Sequence, residues 1–267
     1  MLTSWGISEA TLSPEERTIA FLKDILDEVM ALFPSTFIHV GGDECPKTEW
    51  ARSPGALARM KALGLVAADA SLADLASRSP VPPALNQLQS WFIGQMDGYL
   101  AGHQRRLIGW DEILEGGLAP GAAVMSWRGE AGGLAAVRLG HDVVMTPEAW
   151  TYLDRVQSSG PEPFTIYDQV VDVARVYGYE PVPAALSAAE ARHVLGSEGL
   201  LWTEFVNTPW EMEYMLWPRL AAMAEVLWSP KAARDWPGFQ TRLAAHEERL
   251  KVLDVHFRAA APVSRIP

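Results

Sequence analysis

Two adjacent acidic residues, Asp43 and Glu44, are the strongest candidates for catalysis in this sequence. They follow the strand-like run 37–40 and the pair Gly41-Gly42, a pattern typical of a strand that ends in a sharp bend. Glycines permit the bend and let a ligand approach the backbone, so both carboxylates can reach one cavity. A carboxylic acid that stays protonated can donate its proton to a leaving oxygen, and either residue can be that acid. The alternative is a surface turn with two solvated acids.

Aromatic and acidic side chains also follow the later strand-like segments. Indole faces form flat apolar walls, and carboxylates accept hydrogen bonds from several hydroxyl groups, a combination that suits a sugar. One tryptophan in such a place is usually part of a core, but three at three strand ends favour a binding site. The residues of this second set are Trp110, Trp127, Tyr152, Asp154, Trp202 and Glu204.

Five segments have the composition of strands, and helical segments separate them. Before the first strand, apolar residues recur at helical spacing as far as Phe33, and Ser13, Pro14 and Glu16 are typical helix-start residues. This alternation predicts parallel strands with right-handed crossovers, whose carboxyl ends lie on one face. The predicted strands are Thr36–Val40, Leu107–Trp110, Ala122–Trp127, Asp142–Thr146 and Gly199–Glu204.

The predicted fold class is therefore α/β, a partial barrel of the (β/α)8 TIM type with about five β/α units. It spans residues 1–257, and residues 258–267 are predicted to form a loose C-terminal tail. A doubly wound sheet has the same alternation, but no phosphate-binding glycine-rich loop follows a strand. Later helices are expected at 85–100, at 167–177, at 210–228 with a kink at Pro218, and at 237–253. A further helix of small residues is expected to end at Leu139.

Composition excludes several partners. The 267 residues are 49% hydrophobic and carry a net charge of −11. The only basic cluster is Arg105-Arg106, so nucleic acid and anionic membranes are poor partners. No apolar run is long enough to span a membrane, and Met1–Ser8 is not a signal peptide; localisation stays open. The single cysteine, Cys45, excludes an internal disulfide and is interpreted as a packed thiol.

The order of the strand-end motifs resembles that of β-N-acetylhexosaminidases, glycoside hydrolase family 20. The resemblance extends from about Trp5 to Leu253, and the first motif is highly specific in its spacing. The motifs are HVGGDE at 39–44, GWDE at 109–112, MSWRG at 125–129, YEPVP at 179–183, LWTE at 201–204 and AEVLW at 224–228.

This resemblance implies a substrate-assisted glycosidase that removes terminal N-acetylglucosamine or N-acetylgalactosamine. Glu44 would be general acid and then general base, and Asp43 would hold the nitrogen of the 2-acetamido group, whose own oxygen attacks the anomeric carbon. Tyr152 would bind that oxygen. No cofactor or metal is implied. The three tryptophans would wall the sugar, and two further acids would bind its hydroxyls: Asp154 and Glu204.

The sequence departs from the family at its start. Family members have three more strands before the one that ends in Asp-Glu, with an arginine that binds sugar hydroxyls and a His/Asp pair that supports the acid. Five strands instead of eight leave unpaired sheet edges, which tend to associate. We therefore expect the chain to self-associate into a homo-oligomer that covers these edges.

Three alternatives stay open at this point. An ordinary retaining glycosidase would use Glu44 as acid and a carboxylate such as Glu204 as nucleophile. An inactive remnant would bind sugar without turnover. A metal-dependent hydrolase would need ligands around His39, but the other histidines lack ligand spacing, which favours a hydrogen-bonded core histidine. The role of the pair Asp111-Glu112 is not assigned.

Overall fold

The computed structural model describes residues 6–75, 81–159 and 162–259. The strands in these ranges form a five-stranded sheet in which they follow one another in sequence order. The first two pairs are parallel, with Ile38 opposite Leu107 and Gly109 opposite Val124. The strands are β1 Phe37–His39, β2 Arg106–Trp110, β3 Ala123–Ser126, β4 Val143–Met145 and β5 Val194–Ser197.

Helices lie before, between and after the strands. The longest are α1, α5 and α11, whose apolar residues recur at helical spacing. A 3-10 turn, Asp111–Leu114, follows β2 directly. The α-helices are α1 Glu16–Leu32, α2 Thr48–Arg52, α3 Pro54–Ala62, α4 Leu72–Leu75, α5 Pro83–Gly102, α6 Ala131–Arg138, α7 Glu148–Thr151, α8 Val173–Gly178, α9 Pro209–Leu216, α10 Arg219–Trp228 and α11 Trp236–Val252.

The predicted partial β/α barrel is confirmed, and four of the five predicted strands are found. Three of them are slightly shorter than predicted, and β2 begins one residue earlier, at Arg106. The fifth prediction, Gly199–Glu204, is wrong. The strand lies earlier, at Val194–Ser197, and only Leu200 of the predicted segment pairs, in an isolated bridge with Tyr152. Short apolar runs do not reveal by periodicity alone whether they pair along their length. Trp202 and Glu204 therefore lie in an irregular segment, not at a strand end.

Three helix predictions also need correction. The first helix begins at Glu16. Its N-cap residue is Glu15, whose side chain makes no capping hydrogen bond, so the prediction of Ser13 as the cap is wrong. The helix expected at 167–177 is only the short α8. The helix expected at 210–228 is two helices, because Pro218 lacks the N–H that would continue the first one.

The described chain divides into two compact units. Unit 1 runs to Met125 and includes Ala135–Val143; unit 2 comprises Ser126–Leu134 and the described residues from Val144 onward. A core of unit 1 forms where helices α2 to α5 bury apolar side chains against one another. Its fully buried members, such as Leu88, contribute most because each removes apolar area from water. The buried members of this core are Trp50, Ala56, Met60, Leu75, Ala84, Leu85 and Leu88.

The core of unit 2 is built around α8, α10 and α11. Tyr177 stacks on Phe239 with ring centroids 4.6 Å apart, and its hydroxyl donates to Glu225 at 2.8 Å. The polar end of this large side chain is therefore satisfied inside the core. The buried members are Leu153, Val171, Val176, Tyr177, Ala222, Met223, Phe239 and Leu243.

The C-terminal prediction lies mostly outside the described residues. Of the expected tail, only Arg258 and Ala259 are described. Arg258 donates to the Ser158 hydroxyl at 2.8 Å and pairs with Glu162 at 2.9 Å, so this residue is anchored to unit 2. None of the described helices combines the length and apolar character that crossing a membrane requires.

Candidate active site

The loop that carries the acid pair has an unusual backbone. Gly41 and Gly42 have φ of +75° and +97°, and Glu44 has φ of +42°. Glycine adopts this left-handed region without cost, whereas glutamate there is strained. Gly42 also faces Ile113, because a Cβ at Gly42 would lie 2.5 Å from Cγ2 of that side chain. The Gly-Gly break is thus required both by the backbone and by close packing.

Replacing Gly42 with alanine is expected to destabilise the protein by about 3 kcal/mol. The left-handed backbone costs an alanine about 1–2 kcal/mol, and the overpacking against Ile113 adds about 1–3 kcal/mol. Chemical denaturation measures the loss. Gly64→Ala is the matched control, since Gly64 has φ of +69° but nothing within 4 Å of the added Cβ. Equal losses in the two variants would contradict the packing argument.

Two side chains that sequence reasoning missed hold this loop. The Gln89 amide donates to the Gly42 carbonyl at 2.7 Å and accepts from Lys47 Nζ at 2.5 Å. Lys47 also donates to the Cys45 carbonyl at 2.7 Å. The available signal was a polar residue, Gln89, on the apolar face of α5 between Leu85 and Phe92, where burial requires a hydrogen-bond partner.

Trp110 and His39 lie beside the acid loop in unit 1. The Trp110 amide donates to the Gly41 carbonyl at 2.9 Å, and its indole meets the His39 ring edge-on at 4.8 Å. Nδ1 of His39 accepts from the Gly41 amide at 3.0 Å. Desolvation lowers the pKa of His39, and the Asp43 carboxylate partly offsets this shift. His39 is thus hydrogen-bonded as predicted, but it supports the loop and does not belong to the buried core.

The remaining predicted site residues belong to unit 2, where three aromatic rings form a cluster. Trp127 stacks on Tyr152 with centroids 6.2 Å apart, and Trp202 lies 6.4 Å from Tyr152 on a tilted plane. Ser126 shapes the loop of Trp127: its hydroxyl donates to the Gly129 carbonyl at 2.7 Å and accepts from the Gly133 amide at 2.8 Å. We call Trp127, Tyr152 and Trp202 the aromatic box.

Tyr152 is the buried centre of this box, with 5% of its surface exposed. Burial raises the pKa of its hydroxyl far above the ordinary value, and a hydrogen bond with Trp202 opposes the shift. Since an indole N–H can only donate, the Tyr152 oxygen accepts that bond and keeps its own proton. The hydroxyl is therefore a hydrogen-bond donor at neutral pH.

Asp154 is the second buried polar group of this site, at 3% exposure. Its Oδ2 accepts from Arg155 at 2.8 Å, whereas Oδ1 has no partner among the described residues. Burial raises the pKa of Asp154 to about 6; Arg155 and Arg219 oppose this and Glu204 adds to it. Oε2 of Glu204 is also buried without a described partner. Two carboxylates thus offer unused acceptors, which is what hydroxyl groups of a ligand require.

Within unit 2 a bridge of two backbone hydrogen bonds joins the segment of Tyr152 and Asp154 to the segment of Trp202 and Glu204. The Leu153 amide donates to the Leu200 carbonyl, and the Leu200 amide donates to the Thr151 carbonyl at 2.9 Å. This bridge places Trp202 and Glu204, two and four residues after Leu200, beside Tyr152 and Asp154.

In the described parts of the chain, no three His, Cys, Asp or Glu side chains are grouped so that they could hold a metal ion.

Comparisons with known proteins agree with this description. The model of the glycosyl hydrolase family 20 catalytic domain matches residues 1–231. A β-hexosaminidase of Porphyromonas gingivalis is 40% identical over 97% of this chain and 31% of its own length. One from Vibrio furnissii is 34% identical over 78% of this chain and 32% of its own. The chain thus spans about a third of the length of these relatives.

Solved structures show the same fold. The exo-β-N-acetylglucosaminidase of Vibrio harveyi, in complex with N-acetylglucosamine, is 31% identical with a TM-score of 0.78, covering 92% of this chain and 36% of that one. The β-N-acetylhexosaminidase of Streptomyces coelicolor is 26% identical with a TM-score of 0.73, covering 98% and 47%. The sheet and its helices define a β/α-barrel protein. More specifically, the chain belongs to glycosyl hydrolase family 20, which confirms the resemblance found in its motifs.

Proposed function

We propose that this protein hydrolyses terminal, non-reducing N-acetyl-β-D-hexosamine residues with retention of configuration, assisted by the 2-acetamido group of the substrate. The observation that carries the proposal is the buried Tyr152 hydroxyl inside the aromatic box. A planar acetamido group with its apolar methyl fits between aromatic faces, and its carbonyl oxygen accepts a hydrogen bond from the Tyr152 hydroxyl. Family 20 is a known exception to the scheme in which an enzyme carboxylate attacks the sugar.

In the first step the acetamido oxygen forms a bond to the anomeric carbon while the glycosidic C–O bond breaks. Glu44 gives its proton to the departing oxygen, which leaves as an alcohol. The Asp43 carboxylate accepts a hydrogen bond from the acetamido N–H and stabilises the positive charge that develops in the oxazolinium ring. Tyr152 keeps the carbonyl oxygen directed at the anomeric carbon, so the attack is intramolecular.

In the second step Glu44, now a carboxylate, takes a proton from water, and the water oxygen attacks the anomeric carbon. The bond from the acetamido oxygen breaks, and the product is the free hexosamine with its original β configuration. Two inversions at one carbon explain the retention. Throughout, Trp110, Trp127 and Trp202 exclude water from the sugar, and Asp154 and Glu204 accept hydrogen bonds from its hydroxyls.

Matched substrates test this proposal. The protein is expected to release 4-nitrophenol from 4-nitrophenyl N-acetyl-β-D-glucosaminide but not from the β-D-glucoside, which has no acetamido nucleophile. Release from both substrates would indicate the ordinary retaining mechanism with a carboxylate such as Glu204 as nucleophile. Binding of N-acetylglucosamine without release from either would indicate an inactive sugar-binding protein.

The pH dependence of kcat/KM should reflect the protonation of Asp154. Above about pH 6 its carboxylate is ionised and accepts hydroxyl hydrogen bonds; below this pH it is protonated and loses acceptor strength. We therefore expect kcat/KM for the glucosaminide to fall as pH decreases through 6, because this parameter reports groups of the free enzyme. The charged groups that act on Asp154 are Arg155, Glu204 and Arg219. In Asp154→Asn this decrease in kcat/KM near pH 6 should disappear. If the decrease persists, the protonation of another group causes it.

Self-association is part of the proposal. β1 lies at one end of the sheet, and no strand in the described part of the chain pairs with its outer side. In the same unit α1 exposes large apolar side chains, including Phe21 at 59% and Leu32 at 74%. Open edges and apolar helix faces favour association of copies. Light scattering at micromolar concentration should give a mass above that of one 29.3 kDa chain; a clean monomer would contradict self-association.

A further inference from the structure

We infer that Arg219 is a positioning residue that holds Tyr152 and Asp154 in their working geometry through the backbone between them. This inference rests on the proposed function of those two residues. Arg219 is the first residue of α10, has no exposed surface, and lies beneath the segment 151–155. It touches no predicted ligand group itself, so any effect on catalysis passes through the segment that it holds.

The contacts of the guanidinium converge on one stretch of backbone. Nη2 donates to the Leu153 carbonyl, and Nη1 donates to the Arg155 carbonyl at 3.0 Å. These two carbonyls flank Asp154, and Leu153 follows Tyr152 directly. Nη1 also donates to the Val171 carbonyl at 2.9 Å, and Nη2 to the Met215 carbonyl. One side chain therefore ties the segment both to the last turn of α9 and to Val171, two residues before α8.

Only arginine can make this set of contacts. Its planar fork offers five donors in fixed directions, whereas the lysine ammonium is a single point with three donors. Burying the charge is costly unless its donors find partners. Four carbonyls satisfy the two terminal nitrogens, whereas Nε has no hydrogen-bond partner among the described residues. Burial lowers the pKa of Arg219 to about 9, so the group remains charged at neutral pH.

The charge of Arg219 adds an electrostatic effect on Asp154. Burial raises the pKa of Asp154, and the positive charges of Arg155 and Arg219 oppose this rise. The carboxylate of Glu204 raises the pKa further. The Arg155 side chain binds Asp154 Oδ2 and lies over the Tyr152 ring with its carbon 5.2 Å from the centroid. Arg219 and Arg155 thus act on the same two residues, one through their backbone and the other through their side chains.

The test compares three variants: Arg219→Lys, Arg219→Met and Arg234→Lys. Arg234 is the matched control, because it is largely buried in the same unit and donates to two carbonyls, those of Tyr179 at 2.7 Å and Val226 at 3.1 Å. Hydrogen exchange of the Leu153 and Leu200 amides reports the order of the segment without requiring activity. Steady-state kinetics on the glucosaminide between pH 4 and 8 report its catalytic consequence.

We expect both Arg219 variants to speed exchange of those two amides at least about tenfold while the core amides of α11 stay protected. We expect kcat/KM to fall about 100-fold, the effect of a displacement of about 1 Å. The decrease of kcat/KM at low pH should move to higher pH in Arg219→Met, because this variant loses the positive charge. It should stay at the same pH in Arg219→Lys, which keeps the charge. Arg234→Lys should leave the exchange of both amides, the value of kcat/KM and its pH dependence unchanged.

Other results overturn the inference in whole or in part. Unchanged exchange in a folded Arg219 variant would show that the residue does not hold the segment, whether or not the wild type hydrolyses the substrate. Faster exchange in a variant with unchanged kcat/KM would show that holding the segment does not serve catalysis. If both Arg219 variants fail to fold while Arg234→Lys folds, Arg219 is a folding residue. A wild type with no activity and with the expected exchange would overturn the proposed function and the catalytic part of the inference, but not the holding of the segment.

Discussion

Replacing Glu44 with glutamine is expected to lower kcat for N,N′-diacetylchitobiose on the order of 1,000-fold, within the range that general acid–base catalysis contributes. Glutamine keeps the size of the side chain but has no acidic proton for the departing oxygen and no basic oxygen strong enough to activate water. Both steps of the reaction therefore slow. KM should change little, because the proton moves in the transition state and not on binding.

The leaving group distinguishes this role from a structural one. The 4-nitrophenolate ion departs with little help from an acid, so the loss for 4-nitrophenyl N-acetyl-β-D-glucosaminide should be clearly smaller than for the disaccharide. Glu49→Gln is the control, since Glu49 is an exposed glutamate of α2 in the same unit and should retain full activity. Equal losses on the two substrates would contradict the assignment of Glu44 as the acid.

Replacing Tyr152 with phenylalanine is expected to lower kcat about 100- to 1,000-fold, as removal of a preorganised hydrogen-bond donor does elsewhere. The ring remains in the aromatic box, but the acetamido oxygen loses the donor that directs it at the anomeric carbon. Loss of alignment acts on the attack itself, so kcat should fall more than KM rises. Steady-state kinetics on the glucosaminide provide both parameters.

Tyr177→Phe is the matched control for this variant. Tyr177 is similarly buried in unit 2, and its hydroxyl donates to the partly buried Glu225 at 2.8 Å. Its loss should cost about 1 kcal/mol of stability and leave kcat unchanged. If Tyr152→Phe behaved like Tyr177→Phe, with a stability loss and normal kcat, the role of the Tyr152 hydroxyl in orienting the acetamido group would be wrong.

Much of the fold and most of the candidate residues followed from local sequence patterns. The glycines before Asp43 mark a bend that few other residues can form, and the left-handed φ of both glycines bears this out. Tyr152, Asp154, Trp202 and Glu204 were named from residue type. The structure brings these four together with Trp127 in unit 2. In unit 1 it places Trp110 against His39 and the Gly41 carbonyl, in the loop that continues to Asp43 and Glu44.

The parts that failed depend on contacts between distant residues. The segment after Gly199 was predicted to be a strand because it is apolar, yet pairing stops after Leu200, which hydrogen-bonds to the chain on both sides of Tyr152. The supporting residues Gln89 and Arg219 were missed for the same reason. A buried polar side chain stands out only when its partners are known, and here these are backbone carbonyls 47 and 66 residues away.

The measurement that tests the central claim most directly is a series of 4-nitrophenyl β-glucosaminides with acetyl, fluoroacetyl, difluoroacetyl and trifluoroacetyl groups on the nitrogen. Each fluorine withdraws electrons from the carbonyl oxygen and weakens it as a nucleophile, while the sugar and the leaving group stay the same. If the acetamido group attacks the anomeric carbon, kcat/KM must decrease steeply and steadily with the number of fluorines. A flat series would mean that an enzyme carboxylate attacks instead, and it would contradict substrate-assisted hydrolysis by this protein.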